Sequence, residues 1–316
     1  MYLNDFASGN DPLDMTALEE FSSLLRSAQD LGIPHPPKVR YLSRNVVLRH
    51  QRFHFLEWGD PQAEPVVLLH GGNQSAHSWD LVSLHLSDRY RVLALDQRGH
   101  GDSEWNRGAD YSIAAMAEDA NAFIAELGLE RPIVFGHSMG GIVTLTLATQ
   151  RPELARALVV VDVGPQISED GTRMIRDFVH RNIEFDDLEE FLDAVEKYDP
   201  YRTRSHMERT IKYNLLQRAD GRYISKVDRR RFLHEDEAER NRSHGAPRLE
   251  EMSRIPCPTL VVRGGNSKVL EVEPAKRFSA TLPAGQLVTV PDCGHNVQSQ
   301  NTPGFLDAIG PFLAAI

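Results

Sequence analysis

Cysteine is scarce in this chain: 316 residues carry two, Cys257 and Cys293. That is too few for a disulfide framework, and the pair lacks the Cys-x-x-Cys spacing used in zinc and redox sites. A reducing, cytoplasmic compartment is the expectation. Long apolar runs are missing too, none approaching the ~18 residues of a membrane span. The start, Met1 to Phe6, lacks the basic residues and apolar stretch of a secretory signal. Positive charge is in deficit, with 35 Lys and Arg against 45 Asp and Glu and a formal charge of −10. This balance disfavours nucleic acid or an anionic membrane as partner. The sequence also has no internal repeat and no low-complexity tract. What remains is an ordinary globular composition, 41% apolar and 25% charged, long enough to bury a core without staples. Length alone predicts about two domains.

The first forty residues read as an extension, with helical spacing from Leu18 to Leu31 stopped by Pro34, Pro36 and Pro37. Two alternating runs between Tyr41 and Trp58 predict an antiparallel pair. Short apolar runs then alternate with helical stretches, the pattern of a parallel sheet covered on both faces. The strand candidates are Pro65–Leu69, Arg91–Leu95, Pro132–Phe135, Ala157–Val161, Pro258–Val262 and Gln286–Val290. The helices expected between them are Ser78–Leu86, Ile113–Leu127, Met139–Thr149, Pro274–Thr281 and Pro303–Ala315. One interval, Gln166 to Arg254, breaks the alternation with helical spacing and dense charge, for instance from Asp228 to Arg242. A structureless loop of that length is improbable, so it is predicted to be a helical insertion. The reading is thus an α/β core over 41–165 and 255–316, an N-terminal extension over 1–40 and an insertion over 166–254.

Chemistry concentrates at the ends of the predicted strands. Gly136-His137-Ser138-Met139-Gly140-Gly141 lies between a strand and a helix. A serine on so sharp a turn needs small neighbours, projects its hydroxyl from the sheet, and is followed by an N–H at a helix start, that of Met139. His70-Gly71-Gly72-Asn73 follows an earlier strand, where the Gly72 N–H can turn to the same point as that of Met139. Gly294-His295 follows the last strand, and an imidazole there can take the Ser138 proton. Asp96-Gln97-Arg98-Gly99-His100-Gly101-Asp102-Ser103 reads as scaffold, fixed by an Arg98–Asp102 ion pair. His50 and His54 are four apart, but on a strand and without a third ligand, so neither a metal nor a cofactor is expected. Cys293 reads as packing.

With these motifs in order, the chain from about Tyr41 to its end resembles the alpha/beta-hydrolase superfamily. The resemblance implies an eight-stranded, mostly parallel sheet with helices on both faces and a helical cap inserted after the sixth strand. In most relatives the acid that orients the histidine follows the seventh strand, where this chain has Asn266 and Ser267. Some hydrolases of the superfamily take it from after strand six, the position of Asp162 in Val159-Val160-Val161-Asp162. An ionisable residue behind three valines is costly unless paired, and Asp162 is the assignment, with Glu271 and a cap-hinge role for Asp162 as competitors. The site so read has Ser138 as nucleophile, His295 as base, Asp162 as orienting acid, and Gly72 and Met139 as oxyanion donors. Asn73, His137 and Trp79 are candidates for substrate contact. Among the cap residues, Phe178, Phe185, Phe191, Tyr198, Tyr201, Met207 and Tyr213 are candidate pocket lining. Hydrolysis of a carboxylic ester or lactone of a small, largely apolar substrate is the leading expectation. A carbon–carbon bond hydrolase of ring-fission products ranks second, and a small-molecule receptor on the same fold third.

Overall fold

The computed structural model describes residues 15–39, 41–232 and 246–316; the readings of Met1 to Phe6 and of the charged stretch 233–242 lie outside the described residues. A sheet of eight strands runs in the order β1-β2-β4-β3-β5-β6-β10-β11. These strands are β1 (Tyr41–Leu48), β2 (Gln51–Trp58), β3 (Glu64–Leu69), β4 (Tyr90–Leu95), β5 (Ile133–His137), β6 (Ala157–Val161), β10 (Thr259–Gly264) and β11 (Gly285–Val290). From β4 to β11 every neighbouring pair is parallel, while β2 pairs antiparallel with both β1 and β4. β2 is therefore the one strand of the eight that runs against the rest. The chain moves outward from β3 to β4 and then back past β3 to β5, so the order reverses at β3. The loops leaving the C-terminal ends of β3 and β5 flank a crevice at that reversal, where open α/β sheets bind ligands.

Alternation along the strands explains how both faces are filled. Val67, Leu69, Leu93, Leu95, Val134, Leu158 and Val160 point to one core cluster. Val66, Leu68, Val92, Ala94, Ile133, Phe135 and Val159 point to the other. The first is covered by α3 (Ile113–Glu126), α4 (Met139–Gln150) and α8 (Val272–Thr281), and the second by α1 (Met15–Asp30), α2 (Asp80–Leu86) and α10 (Thr302–Ala315). The N-terminal extension is thus partly structural: Leu24, Ala28 and Ile33 are buried in the second layer. The helix α9 (Val297–Gln300) follows the last strand and leads into α10.

The insertion lies between β6 and β10. It carries α5 (Glu169–Arg181), α6 (Leu188–Tyr198) and α7 (Arg204–Ile211), which form a small core of Leu192, Val195, Met207, Ile211 and Leu215. Asp187 caps α6 by accepting from the Glu190 N–H at 2.9 Å. The insertion is helical as expected, and it also carries a small three-stranded antiparallel sheet of β7 (Glu184–Phe185), β8 (Leu215–Gln217) and β9 (Tyr223–Ser225). These strands are two or three residues long, too short for alternation to show, and β8 and β9 join through a turn in which Gly221 has φ +86°.

Candidate active site

Ser138 sits between β5 and α4 with φ +50° and ψ −117°. A non-glycine residue there is strained by roughly 1–3 kcal/mol. The surroundings enforce the turn: a Cβ on Gly136 would stand 2.3 Å from the Gly140 carbonyl oxygen, and one on Gly140 would stand 2.3 Å from that of Leu69. Only glycine lets α4 approach β3 and β5 so closely, and the Ser138 hydroxyl is left at the crevice.

His295, on the loop after β11, brings Nε2 to 2.9 Å from Ser138 Oγ. Its Nδ1 lies 2.9 Å from Asp162 Oδ2. A carboxylate only accepts, so Nδ1 carries the proton, and Nε2 is the acceptor for the Ser138 hydroxyl. Asp162 is fully buried at the end of β6 with φ +52°. Its other partners are the Gly264 N–H, which donates to Oδ1 at 2.9 Å, and the Ser267 hydroxyl, which donates to Oδ2. Glu271 is exposed at the start of α8, and the His295 Nδ1 it would need is taken by Asp162.

As the first residue of α4, Met139 has an N–H that no carbonyl within the helix can take. Gly72 borders the same cavity, with open space where a Cβ would stand. The loop carrying Gly72 is tied to its neighbour: the Gln97 N–H donates to His70 Nε2 at 3.0 Å, and the Gln97 side-chain amide donates to the His70 carbonyl at 2.6 Å. Burial holds the His70 pKa below its ordinary value, consistent with a neutral ring accepting at Nε2. A hydroxyl aligned on a base, with N–H groups at hand for a developing oxyanion, is equipped to attack a carbonyl.

The alpha/beta hydrolase fold family profile matches residues 64–302. The chain belongs to the alpha/beta-hydrolase family. An esterase of Mycobacterium tuberculosis is 27% identical over 94% of this chain and 96% of its own length. The sn-1-specific diacylglycerol lipase of Mus musculus is 30% identical, covering 81% of this chain and 83% of the lipase. Among solved structures, an E-2-(acetamidomethylene)succinate hydrolase superposes with a TM-score of 0.78 at 23% identity, covering 87% of this chain and 100% of that one.

In this alpha/beta hydrolase the insertion forms a cap over a cavity of about 530 Å³ that reaches Ser138 and His295. Phe178, Phe191 and Tyr198 of the cap line it. Phe185 and Met207 are buried within the cap, Tyr213 stacks on His77, and Tyr201 is partly exposed away from the lining. Asn73 borders the cavity with φ +61°. Trp79 is a correction: its ring is fully buried against Phe135 and Phe305 in the sheet's second core layer and takes no part in the cavity wall. The side chain follows the direction of its short 3-10 turn into the core, which proximity in sequence to the Gly72 loop does not reveal. His137 stands beside the site, where burial keeps its ring neutral with one N–H; Nε2 lies 2.9 Å from the His295 carbonyl, and Nδ1 faces Gln74 Oε1 at a longer 3.2 Å. Gln74 in turn donates to Asn296 Oδ1 at 3.0 Å, so loops after β3, β5 and β11 are linked by one hydrogen-bond chain.

The Arg98–Asp102 pair is also corrected. Arg98 is buried and bonds Asp119 with two guanidinium nitrogens, while Asp102 reaches the cap and pairs with Lys226 at 2.6 Å. Asp96 is a hydrogen-bond hub for the Ala76 and Asp102 N–H groups and His54 Nδ1. Burial would raise its pKa, but the bond and charge of His54 outweigh burial and hold the carboxyl low. Among the described residues, His54, Asp96 and Asp102 are the side chains whose ligand atoms gather within 4.8 Å. The Asp96 oxygens there are already spent on N–H donors and Asp102 on Lys226, an arrangement that serves as loop scaffold. Burial raises the Cys293 thiol to about 11, which makes it inert near neutral pH.

Two site residues carried little signal in the sequence. Ser267 occupies the place where a carboxylate was expected, so its position, though not its role, was visible. Arg231 donates to His100 Nε2 at 2.5 Å and lies 3.6 Å from Met139 Sδ. His100 is neutral because burial and Arg231 hold its pKa well below the ordinary value, and nothing local in the sequence announces that contact.

Proposed function

We propose that this protein is a serine hydrolase of carboxylic esters with a small, largely apolar acyl group. The observation that carries the reading is the relay Ser138 Oγ to His295 Nε2 and His295 Nδ1 to Asp162 Oδ2, each at 2.9 Å. In this reading His295 takes the Ser138 proton as Oγ adds to the substrate carbonyl. The oxyanion accepts from the Met139 and Gly72 N–H groups. The tetrahedral species collapses as His295 returns the proton to the departing alcohol, leaving an acyl ester on Ser138. Water, deprotonated by His295, then releases the acid. Asp162 stays ionised, holds the His295 tautomer and balances the imidazolium. The apolar cavity wall and the esterase and lipase names of the similar proteins support ester substrates. Asp162 beside His295 favours an enzyme over a receptor on the same fold. The expected setting is cytoplasmic, in keeping with two free cysteines. No helix among the described residues is long and apolar enough to cross a membrane.

The test is covalent labelling by a fluorophosphonate, read as a mass shift, together with turnover of a p-nitrophenyl ester. Both are expected in the native chain and both vanish in Ser138→Ala. A native chain that neither labels nor turns over overturns the assignment.

A further inference from the structure

Ser138 and Asp162 each follow directly on a strand, whereas His295 stands on a loop five residues beyond β11. Its position therefore depends on what grips that loop. From the core, the Asn266 N–H donates to the Cys293 carbonyl at 2.9 Å, and His137 Nε2 lies 2.9 Å from the His295 carbonyl. Between these two, the buried Gly294 N–H donates to Oε1 of Gln300, the last residue of α9, at 2.7 Å.

The same amide reaches the cap. Gln300 Nε2 donates to Asp199 Oδ1 at 3.0 Å. Asp199 follows α6, is buried, and accepts further from Arg202 Nε at 2.8 Å on Oδ2 and from the Tyr201 N–H at 3.3 Å on Oδ1. A backbone N–H only donates and a carboxylate only accepts, so the Gln300 amide has to present Oε1 to Gly294 and Nε2 to Asp199. Tyr201 meets the loop at the same point: a Cβ on Gly294 would stand 3.3 Å from both Gln300 Oε1 and Tyr201 Cε2. Residues 199–201 of the cap therefore rest on the residue that precedes His295. The insertion joins the core at β6 and β10, and neither junction fixes where this segment lies against the loop after β11; the Gln300 bridge does.

We propose that Gln300 is a positioning residue that couples the seat of the cap to the placement of His295. The proposal rests on the serine-hydrolase reading, in which His295 meets first the Ser138 hydroxyl and then the departing oxygen within hydrogen-bond reach. Gln300 does not itself border the cavity, so it acts through Gly294. Without its Oε1 a buried N–H is left unpaired, and the loop shifts to satisfy it. A displacement of about 1 Å at a catalytic group is enough for a loss of about 10²-fold. The donor end matters equally, because the bond to Asp199 is what sets the amide, and with it the loop, against the cap.

The experiment measures, in the full chain, the rate of fluorophosphonate labelling of Ser138 and the kcat and KM for a p-nitrophenyl ester, each scaled to the folded fraction read from urea unfolding. Gln300→Leu, which keeps the bulk and loses both bonds, is expected to slow labelling and kcat by about tenfold or more, with KM within about twofold of native. Gln300→Glu keeps the acceptor for Gly294 but sets a carboxylate against that of Asp199, and it too is slowed. Adding Asp199→Asn to Gln300→Glu restores the bridge with its polarity reversed, the new amide donating to the new carboxylate and giving up only the long Tyr201 bond, and regains most of the lost labelling rate. Lys226→Ala breaks a different cap–core pair, that with Asp102, and is expected to label at the native rate. Native labelling and kcat in Gln300→Leu overturn the proposal. So does a double variant no faster than Gln300→Glu, or a Lys226→Ala slowed as much as Gln300→Leu. In each of those outcomes the native chain still labels and turns over, so the hydrolase reading stands; a native chain that does neither removes both.

Discussion

Asp162 is held by three donors, the Gly264 N–H, the Ser267 hydroxyl and His295, and its role divides into two predictions. Asp162→Asn swaps an acceptor for a group that can present N–H to His295 and so favours the wrong tautomer. Its kcat should fall by about 10⁴, while Glu271→Gln stays near the native value. Near-native activity in Asp162→Asn would move the acid elsewhere. Ser267→Ala keeps the carboxylate but removes one charge-assisted bond of roughly 1.5–3 kcal/mol. An expected loss of about tenfold or more in kcat, with little change in KM, follows because Ser267 touches Asp162 and does not itself border the cavity. A rise in KM alone would assign Ser267 to binding. Ser138 and His295 were legible because a strained serine turn and a Gly-His loop are written in adjacent residues. Asp162 was legible because a lone acid behind three valines is costly unless paired. The Ser267 bond was not, since it joins residues 105 apart in sequence, and Trp79 was misread because direction on a short turn is set by the layer beneath it.

At the level of elements, the cap is fastened to the core by polar pairs along their seam. Arg209 pairs with Asp80, both buried, and Asp80 also faces His77 Nδ1 at 3.1 Å. Lys226 pairs with Asp102, and the Trp105 indole N–H donates to the Lys226 carbonyl at 2.7 Å. Removing one partner of a buried pair leaves the other uncompensated, so Asp80→Asn should lower stability by about 3 kcal/mol. Arg209→Met added to Asp80→Asn should restore part of that loss, because a buried ion pair replaced by apolar bulk is often near neutral. Urea midpoints of the single and double variants decide it; a double variant no more stable than Asp80→Asn would mean that the cation is not what the carboxylate compensates. The core elements were readable because six short strands, mostly of Val, Leu and Ile, alternate with helices. The seam was not, because its pairs depend on where α7 folds back over α2, and α1 looked detached because its buried face, including Leu24 and Ala28, has no partner nearby in sequence.

Taken whole, the molecule is one sheet interrupted by its lid, and the expectation of about two domains from length counted those two parts. Ser138, Asp162 and His295 come from both sides of the insertion, so the core must close around the cap before the site exists. The loops that converge there carry three buried histidines. Burial lowers the pKa of His70, of His100, where Arg231 adds to it, and of His137, where His295 adds to it. In the unfolded chain these rings take protons near their ordinary value of 6.5, while in the native protein they stay neutral to lower pH. Below that value the unfolded state binds more protons, and stability falls as pH falls, approaching about 1.4 kcal/mol per pH unit for each histidine that remains neutral when folded. The low carboxyl of Asp96 adds an acid-side loss in a lower window, beginning below its unfolded value of 3.8. Urea unfolding between about pH 7 and pH 5.5 isolates the histidines, since Asp96 is ionised in both states across that range. The midpoint should drop steadily, and unfolding at the lower pH should take up protons measurable by calorimetry in buffers of different ionisation enthalpy. A flat midpoint with no proton uptake would mean that the rings are already charged in the native fold, which for His70 and His100 is forbidden by the acceptor role of His70 Nε2 toward Gln97 and of His100 Nε2 toward Arg231.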